Sequence, residues 1–377
     1  MKARLRSIVV SAIVPVIVAS ASGVAGGEGG DHIRIPVDSI GYALDPSQVE
    51  AVVSASIENP DNLSGPGAGF PDSPMIGGIC PHDDYVFAGA AYVKLMKNVK
   101  APLAILIGVS HRARRIGIQG RLVFETFSAW KGPYGDVPVS GIREDIIAAL
   151  PPEMVMINDS LHAGEHSLEG LIPFLQYPWD NVDGNDIDDP GKIEILPVLV
   201  TRLAGEKFQA TAEAFAGVLH RELDRRGLRP GFDYTVIISA DCVHYGDEGW
   251  GGRNYSPYGT GREGYEKAVA EDMDIISTVL MGQLDGEKIK GFRDRVDSYE
   301  FEWPYKIPWC GVYSIPFGLE ILSRLCELEG RRPPSGIMLD YGTSLEPGIH
   351  DIDAGGLGAT NIATLRHWVG FTSIGYW

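Results

Sequence analysis

Residues Leu103–Gly108 read LAILIG, an uninterrupted apolar run. Such a run suits a β-strand covered on both faces. Met75–Cys80, Ile193–Val200 and Tyr234–Ser239 read the same way. Pro197, inside one of these runs, suggests an edge or a bulge. Helical stretches alternate with them at Gly89–Met96, Ile142–Leu150, His166–Gln176, Lys207–Arg226, Tyr265–Met281 and Ile315–Glu329. Within Lys207–Arg226, Phe208, Ala212, Phe215, Leu219 and Leu223 recur at helical spacing, the mark of an amphipathic helix on a core. Ile337–Tyr341 and Val369–Tyr376 read as closing strands. The alternation predicts an α/β fold with a mostly parallel, mixed central sheet flanked by helices.

No linker divides residues 75–377, which are expected to form a single domain. Residues 22–74 precede it as a loop-rich segment, with Gly, Pro, Ser and Asp concentrated at 22–45 and 54–74. Pro178–Pro190 reads as an acidic surface loop without the D-x-D-x-D-G spacing of a calcium loop. Gly249–Gly261 is a second long loop, placed to act as a lid. At the amino terminus, Lys2, Arg4 and Arg6 precede an apolar Ile8–Val18 and Ala19-Ser20-Ala21. This is the order of a secretory signal over residues 1–21. The apolar run is short for a membrane span. The expectation is export to a periplasmic or extracellular space, with no stable membrane insertion after cleavage.

Charge narrows the partners. Lys and Arg number 32 against 50 Asp and Glu, a net −18. Nucleic-acid binding needs clustered cations, so it is excluded. An anionic membrane surface is disfavoured for the same reason. A small-molecule substrate or a metal ion is the expected partner. The cysteines are Cys80, Cys242, Cys310 and Cys326. They allow three complete pairings, and spacing does not choose among them. The chain contains no G-x-S-x-G elbow, Walker A loop or His-Glu-x-x-His helix.

In an open α/β sheet, ligands bind beyond the carboxyl ends of the strands. Three strand ends carry unusual polar residues: Pro81-His82-Asp83-Asp84-Tyr85, Ser110-His111-Arg112, and Asp241-Cys242-Val243-His244. His82, His111, Asp241 and His244 are therefore candidates for one rim, where imidazoles and carboxylates can hold a metal. His166 and Glu169 stand three apart at an expected helix start. They read either as a general acid/base pair or as a polar helix terminus. Cys310, before Gly311 and a helix, reads either as a thiol of lowered pKa or as a buried inert one.

The order of these segments resembles the Memo-like family, whose bacterial members are named AmmeMemoRadiSam system protein B. The residues that carry the resemblance are Pro81-His82-Asp83-Asp84-Tyr85 with Phe87-Ala88-Gly89, and Leu106-Ile107-Gly108-Val109-Ser110-His111. Glu165-His166-Ser167-Leu168-Glu169 with Leu171-Ile172-Pro173-Phe174, and Ile195–Val200, come next. Ser239-Ala240-Asp241-Cys242-Val243-His244-Tyr245-Gly246 and Cys310-Gly311 complete the set. The resemblance spans roughly residues 75–345. It implies a fold like that of class III extradiol dioxygenases, which are non-haem iron enzymes. It further implies His82, His111 and Cys310 as metal ligands, with Asp241 and His244 beside them. Asp83-Asp84 replaces the family's Ala-Gly, which adds expected negative charge near the site and favours a harder metal.

A His, His, Cys set suits iron(II), copper or zinc. The expected function is that of an iron- or copper-dependent oxidoreductase. The alternatives are a non-catalytic metal-handling protein of the cell envelope and a zinc hydrolase using Asp241 and His244.

Overall fold

The computed structural model describes residues 32–58, 71, 73–179, 193–297, 307–346 and 356–377. The expected signal segment and most of the acidic Pro178–Pro190 loop lie outside the described residues.

The strands in chain order are β1 (Ile33–Arg34), β2 (Gly77–Cys80), β3 (Leu103–Val109), β4 (Leu122–Phe124), β5 (Ala129–Gly132), β6 (Gly135–Pro138) and β7 (Val155–Ile157). After them come β8 (Glu194–Val200), β9 (Tyr234–Ser239), β10 (His244–Gly246), β11 (Gly282–Gln283), β12 (Ser335–Thr343) and β13 (His367–Tyr376). The main sheet has the order β11-β12-β13-β2-β9-β3-β8-β4-β7, with β10 pairing to β13; β1, β5 and β6 form a small separate sheet. The centre of the main sheet, β2-β9-β3-β8, is parallel, while β13 and β4 join it antiparallel. The architecture is thus α/β with a large mixed sheet flanked by helices.

The apolar strands are explained by burial on both faces. Along β3, Ile105 and Ile107 enter one hydrophobic cluster and Ala104 and Leu106 the other. On β9, Val236 and Ile238 alternate in the same way with Ile237. Successive strand side chains point to opposite faces, so two covered faces demand a continuous apolar run. Burying each such side chain contributes about 1.5–3 kcal/mol.

The helices are α1 (Pro46–Glu58), α2 (Tyr85–Met96), α3 (Ile142–Ala149), α4 (Asp159–Ala163), α5 (Ile172–Leu175), α6 (Glu206–Arg225), α7 (Arg262–Ile275), α8 (Gly286–Val296) and α9 (Ser314–Leu328). Helix α2 packs over β2, β12 and β13, and α9 packs over β9 and against α6. A Cβ on Gly318 of α9 would lie 2.3 Å from Ile238 Cγ1. Only glycine permits that helix to approach β9 so closely.

Three expectations need correction. Residues 54–58 belong to helix α1 rather than to a loop. Asp45 Oδ1 accepts from Gln48 N at 3.2 Å, Pro46 stands at the first helical position, and Val49, Val52 and Val53 are buried. Residues from His32 onward form one compact unit, so 32–58 pack with the main body. His166–Gln176 is not one helix. A turn and a 3-10 segment (Glu169–Leu171) lead into α5, with Pro173 in its first turn. Proline lacks the N–H that a longer helix would need there. Pro197 lies on β8, which is internal in the sheet order. On the side away from β3, however, β4 joins only from Leu199. No described helix is long and apolar enough to cross a membrane.

Candidate metal centre

Strands β2, β9 and β3 are parallel neighbours, with Cys80 opposite Ser239 and Ile107 opposite Ile238. Their carboxyl ends lie along one rim. His82, Asp241 and His111 stand just beyond those ends. Cys310 arrives from a distant part of the chain. Trp309 bridges Val243, Cys310 N donates to Cys242 O at 3.4 Å, and His244 N donates to Pro308 O at 2.9 Å. Trp309 is itself anchored by donating Nε1–H to Asp272 Oδ1 at 2.7 Å. Tyr341 OH donates to the other Asp272 oxygen at 3.1 Å, and burial pushes this carboxyl up to about 7. A Cβ on Gly311 would lie 2.4 Å from Ala240 Cβ. Glycine is therefore what lets the Cys310 turn settle against the rim.

The hydrogen bonds fix the proton positions. Ser239 Oγ donates to the carbonyl of Ser167. Its only proton is then committed, so it accepts from His82 Nδ1 at 2.9 Å. His111 Nδ1 lies 2.8 Å from Glu165 Oε1. Glu165 also accepts from His111 N at 2.8 Å and from Ser167 N at 3.0 Å. A carboxylate only accepts, so His111 too carries its proton on Nδ1. Both neutral rings then present an Nε2 lone pair to Cys310 Sγ, at 3.1 Å from His82 and 3.0 Å from His111.

Charge reinforces this arrangement. Burial alone would raise the Cys310 thiol, but His111 and His82 outweigh it and hold it well below its ordinary value. Burial likewise opposes ionisation of Glu165, yet His111 holds its carboxyl well below the usual range. Burial would depress both rings, but Asp241 and Cys310 raise His82, and Glu165 and Cys310 raise His111. A thiolate thus has one nitrogen of each imidazole within 3.1 Å, an arrangement that requires positive charge. Protons on the rings supply it, or a metal ion does. Nδ1–H bonds to a hydroxyl and a carboxylate are the usual supports of metal-binding imidazoles. The donor set fits a transition metal on these grounds.

Around this centre, Asp241 Oδ1 accepts from His82 N at 2.8 Å, and Asp241 Oδ2 lies 3.3 Å from His82 Nε2 and 3.6 Å from His244 Nε2. His82, Asp241 and Cys310 form one group of metal-binding capacity, and His82, His111 and His166 another. His244 Nε2 is buried without a close hydrogen bond. Burial would lower this ring, but Asp241 and Cys310 push it up to about 10. The Gly249–Gly261 loop sets Trp250 beside it, with ring centroids 5.1 Å apart. His166 stacks on His111 at 4.7 Å and is the more open of the two, with its side chain 41% exposed. A cleft of ≈ 430 Å³ opens to solvent at His111 and His166.

Glu169 does not join His166. Its carboxylate takes Arg34 Nη2 at 2.6 Å and the amides of Val37 at 2.8 Å and Asp38 at 3.1 Å. The turn at 167–168 rotates it away into the amino-terminal segment, so the expected acid/base pair on one helix face does not form. The Asp83-Asp84 pair also differs from expectation. Asp84 accepts from Thr360 N at 2.6 Å, and burial pushes it up to about 6. Asp83 Oδ2 is buried without a partner, and burial together with Asp241 pushes its carboxyl well up. Asp83 is thus biased toward the neutral acid, while Asp84 at about 6 stays mostly ionised at neutral pH, so the added charge is smaller than the two letters imply. All four cysteines are free thiols and buried.

Sequence reading assigned no role to Arg34, Glu165, Ser239 or His162. His162 is fully buried and donates from Nε2 to Val123 O at 2.9 Å. Burial lowers it to about 4. A depressed histidine favours the fold fully above the unfolded value of about 6.5, and that contribution fades as pH falls through the folded value. The difference is worth about 3 kcal/mol. The acid limb of wild-type stability between pH ~4 and ~6.5 should therefore be steeper than that of His162→Gln by this amount. Urea unfolding across this range measures it, and parallel limbs would contradict the assignment.

Comparison with known proteins places the chain in a family. The family model described as Memo-like protein matches residues 41–346. A MEMO1 family protein of Metallosphaera sedula is 27% identical over 172 residues, covering 44% of this chain and 52% of that protein. One from Sulfurisphaera tokodaii is 26% identical over 207 residues, covering 54% and 59%. One from Aquifex aeolicus is 26% identical over 271 residues, covering 71% and 78%. The chain thus spans little more than half the length of the first two relatives. With most of its length matched, and with the rim histidines and Cys310 inside the matched region, the chain belongs to the Memo-like protein family.

Proposed function

We propose that this chain binds one iron or copper ion through His82 Nε2, His111 Nε2 and Cys310 Sγ and acts as an oxidoreductase on a small molecule. The observation that carries this reading is the pair of Nδ1–H tautomers that turn both Nε2 lone pairs onto the thiolate. A bound metal of this class supplies one-electron chemistry and a Lewis-acid position. The chain's own residues do the rest. Ser239 and Glu165 orient the two imidazoles. His244, raised by Asp241 and Cys310, holds a proton at the inner wall. His166 and His111 line the entrance, and Trp250 covers the His244 side.

A second reading, a non-catalytic metal-handling protein, draws support from depth: Cys310 is 7% and His82 3% exposed. Metal analysis of protein purified without added metal tests both. One iron or copper per chain is expected, and zinc alone would favour hydrolysis and reject the proposal. Oxygen uptake with a reductant, lost in Cys310→Ala, would select the enzyme over the metal carrier.

A further inference from the structure

The mouth of the cleft carries two guanidiniums that hold no carboxylate among the described residues. Arg112 and Arg115 line it beside His111 and His166. Arg112 Nη1 sits against Gly164, where a Cβ would approach it to 2.4 Å. Among the described residues, neither the Arg112 nor the Arg115 guanidinium has a hydrogen bond or ion pair. Other arginines of the molecule differ: Arg143, Arg226, Arg324 and Arg366 each hold a carboxylate. In a chain of net charge −18, acidic partners abound, yet these two arginines face the same opening without one. Asp38 also lines the cleft, but its Oδ1 is occupied by the amides of Ile40 and Gly41, each at 2.8 Å. Glu165 is occupied by His111.

We infer that the reactant admitted through this cleft is a small carboxylate-bearing anion, gripped by the Arg112 and Arg115 guanidiniums. This deepens the proposed function and rests on it for the chemistry after binding. A guanidinium presents a planar fork of donors that matches a carboxylate in two-point contact. A cleft of ≈ 430 Å³ is of the size that holds small molecules. An anion docked there would place its remaining atoms beside His166 and His111. In an acidic protein the local cationic mouth also selects anions against the repulsion of the whole surface, which makes capture sensitive to salt.

Benzoate is a suitable probe, measured by equilibrium dialysis at low salt with metal content determined on the same samples. Wild type should bind one benzoate per chain. Arg112→Gln/Arg115→Gln should weaken binding by about ten- to a hundred-fold, the value of charge-assisted hydrogen bonds. Arg112→Lys, which keeps charge but loses the fork, should fall between. Arg331→Gln, distant in sequence and on an exposed surface residue, should change nothing. Absence of benzoate binding in wild type, equal affinity in the double variant, or an equal loss in Arg331→Gln would overturn the inference. Unchanged metal content in the double variant would separate this result from the fate of the metal site, since a failed metal assay leaves the benzoate comparison readable.

Discussion

Cys310→Ser should lose stoichiometric metal while keeping the fold. The thiolate is the point on which both Nε2 atoms converge, and no other described sulfur stands on this rim in contact with them. Loss of a group that merely orients a ligand costs about 10–100-fold in affinity. Loss of the ligand itself should therefore cost at least about a hundred-fold. Glu165→Gln, which disturbs only the orientation and tautomer of His111, should fall within the smaller range. Metal binding to the native state alone adds about 4 kcal/mol of stability at a thousand times Kd. A chelator should accordingly lower the unfolding midpoint of wild type and leave that of Cys310→Ser where it stands. Full metal content in the serine variant would remove the basis of the proposed function. Metal uptake should also release protons, because it replaces those that otherwise balance the thiolate on His82 and His111.

Arg34→Ala should be the most destabilising single change near the site. Arg34 is 1% exposed. It pairs with Glu169 at 2.6 Å, donates to His162 O at 2.9 Å and to Glu165 O at 2.5 Å, and covers Trp130 at 4.2 Å. Removing one partner of a buried ion pair leaves the other uncompensated, at about 3–5 kcal/mol. Lost packing on Trp130 adds to this. Arg34→Met/Glu169→Leu should recover much of the loss, because two apolar groups of similar volume avoid the stranded charge. Urea unfolding of the single and double variants decides it; a single-variant loss under about 1 kcal/mol would show that the pair is not structurally important. The Arg34→Ala protein should also bind metal less tightly, since its donor to the Glu165 backbone is gone.

Much of the site was visible in the linear order of residues. A strand buried on both faces advertises itself as LAILIG, and polar residues at the ends of three such strands mark one rim of a parallel sheet. The same reasoning failed for Glu169. Its partner Arg34 lies far earlier in the chain, and spacing within a segment says nothing about a contact across |i−j| = 135. Helix α1 was legible in Asp45-Pro46 and the spacing of Val49, Val52 and Val53, but composition hid it. Helix α8 carries a comparable signal, with Asp285 accepting from Lys288 N at 2.8 Å. The supports of the metal centre left no such trace. Ser239 and Glu165 are ordinary polar residues until the fold places their oxygens against imidazole nitrogens.

Local chain chemistry alone accounts for the α/β class, the buried parallel strands, the rim histidines and the acidic surface. These depend on side-chain alternation, backbone restriction and charge count, each of which acts over a few residues or over the whole composition. Folding alone decided that Cys310 meets His82 and His111, which nitrogen of each ring carries the proton, that Glu169 turns to Arg34, and that two arginines line the entrance with no carboxylate partner among the described residues. Those outcomes are distances between remote segments, and hydrogen bonds and Coulomb forces discriminate among partners only once packing has brought them within a few ångströms.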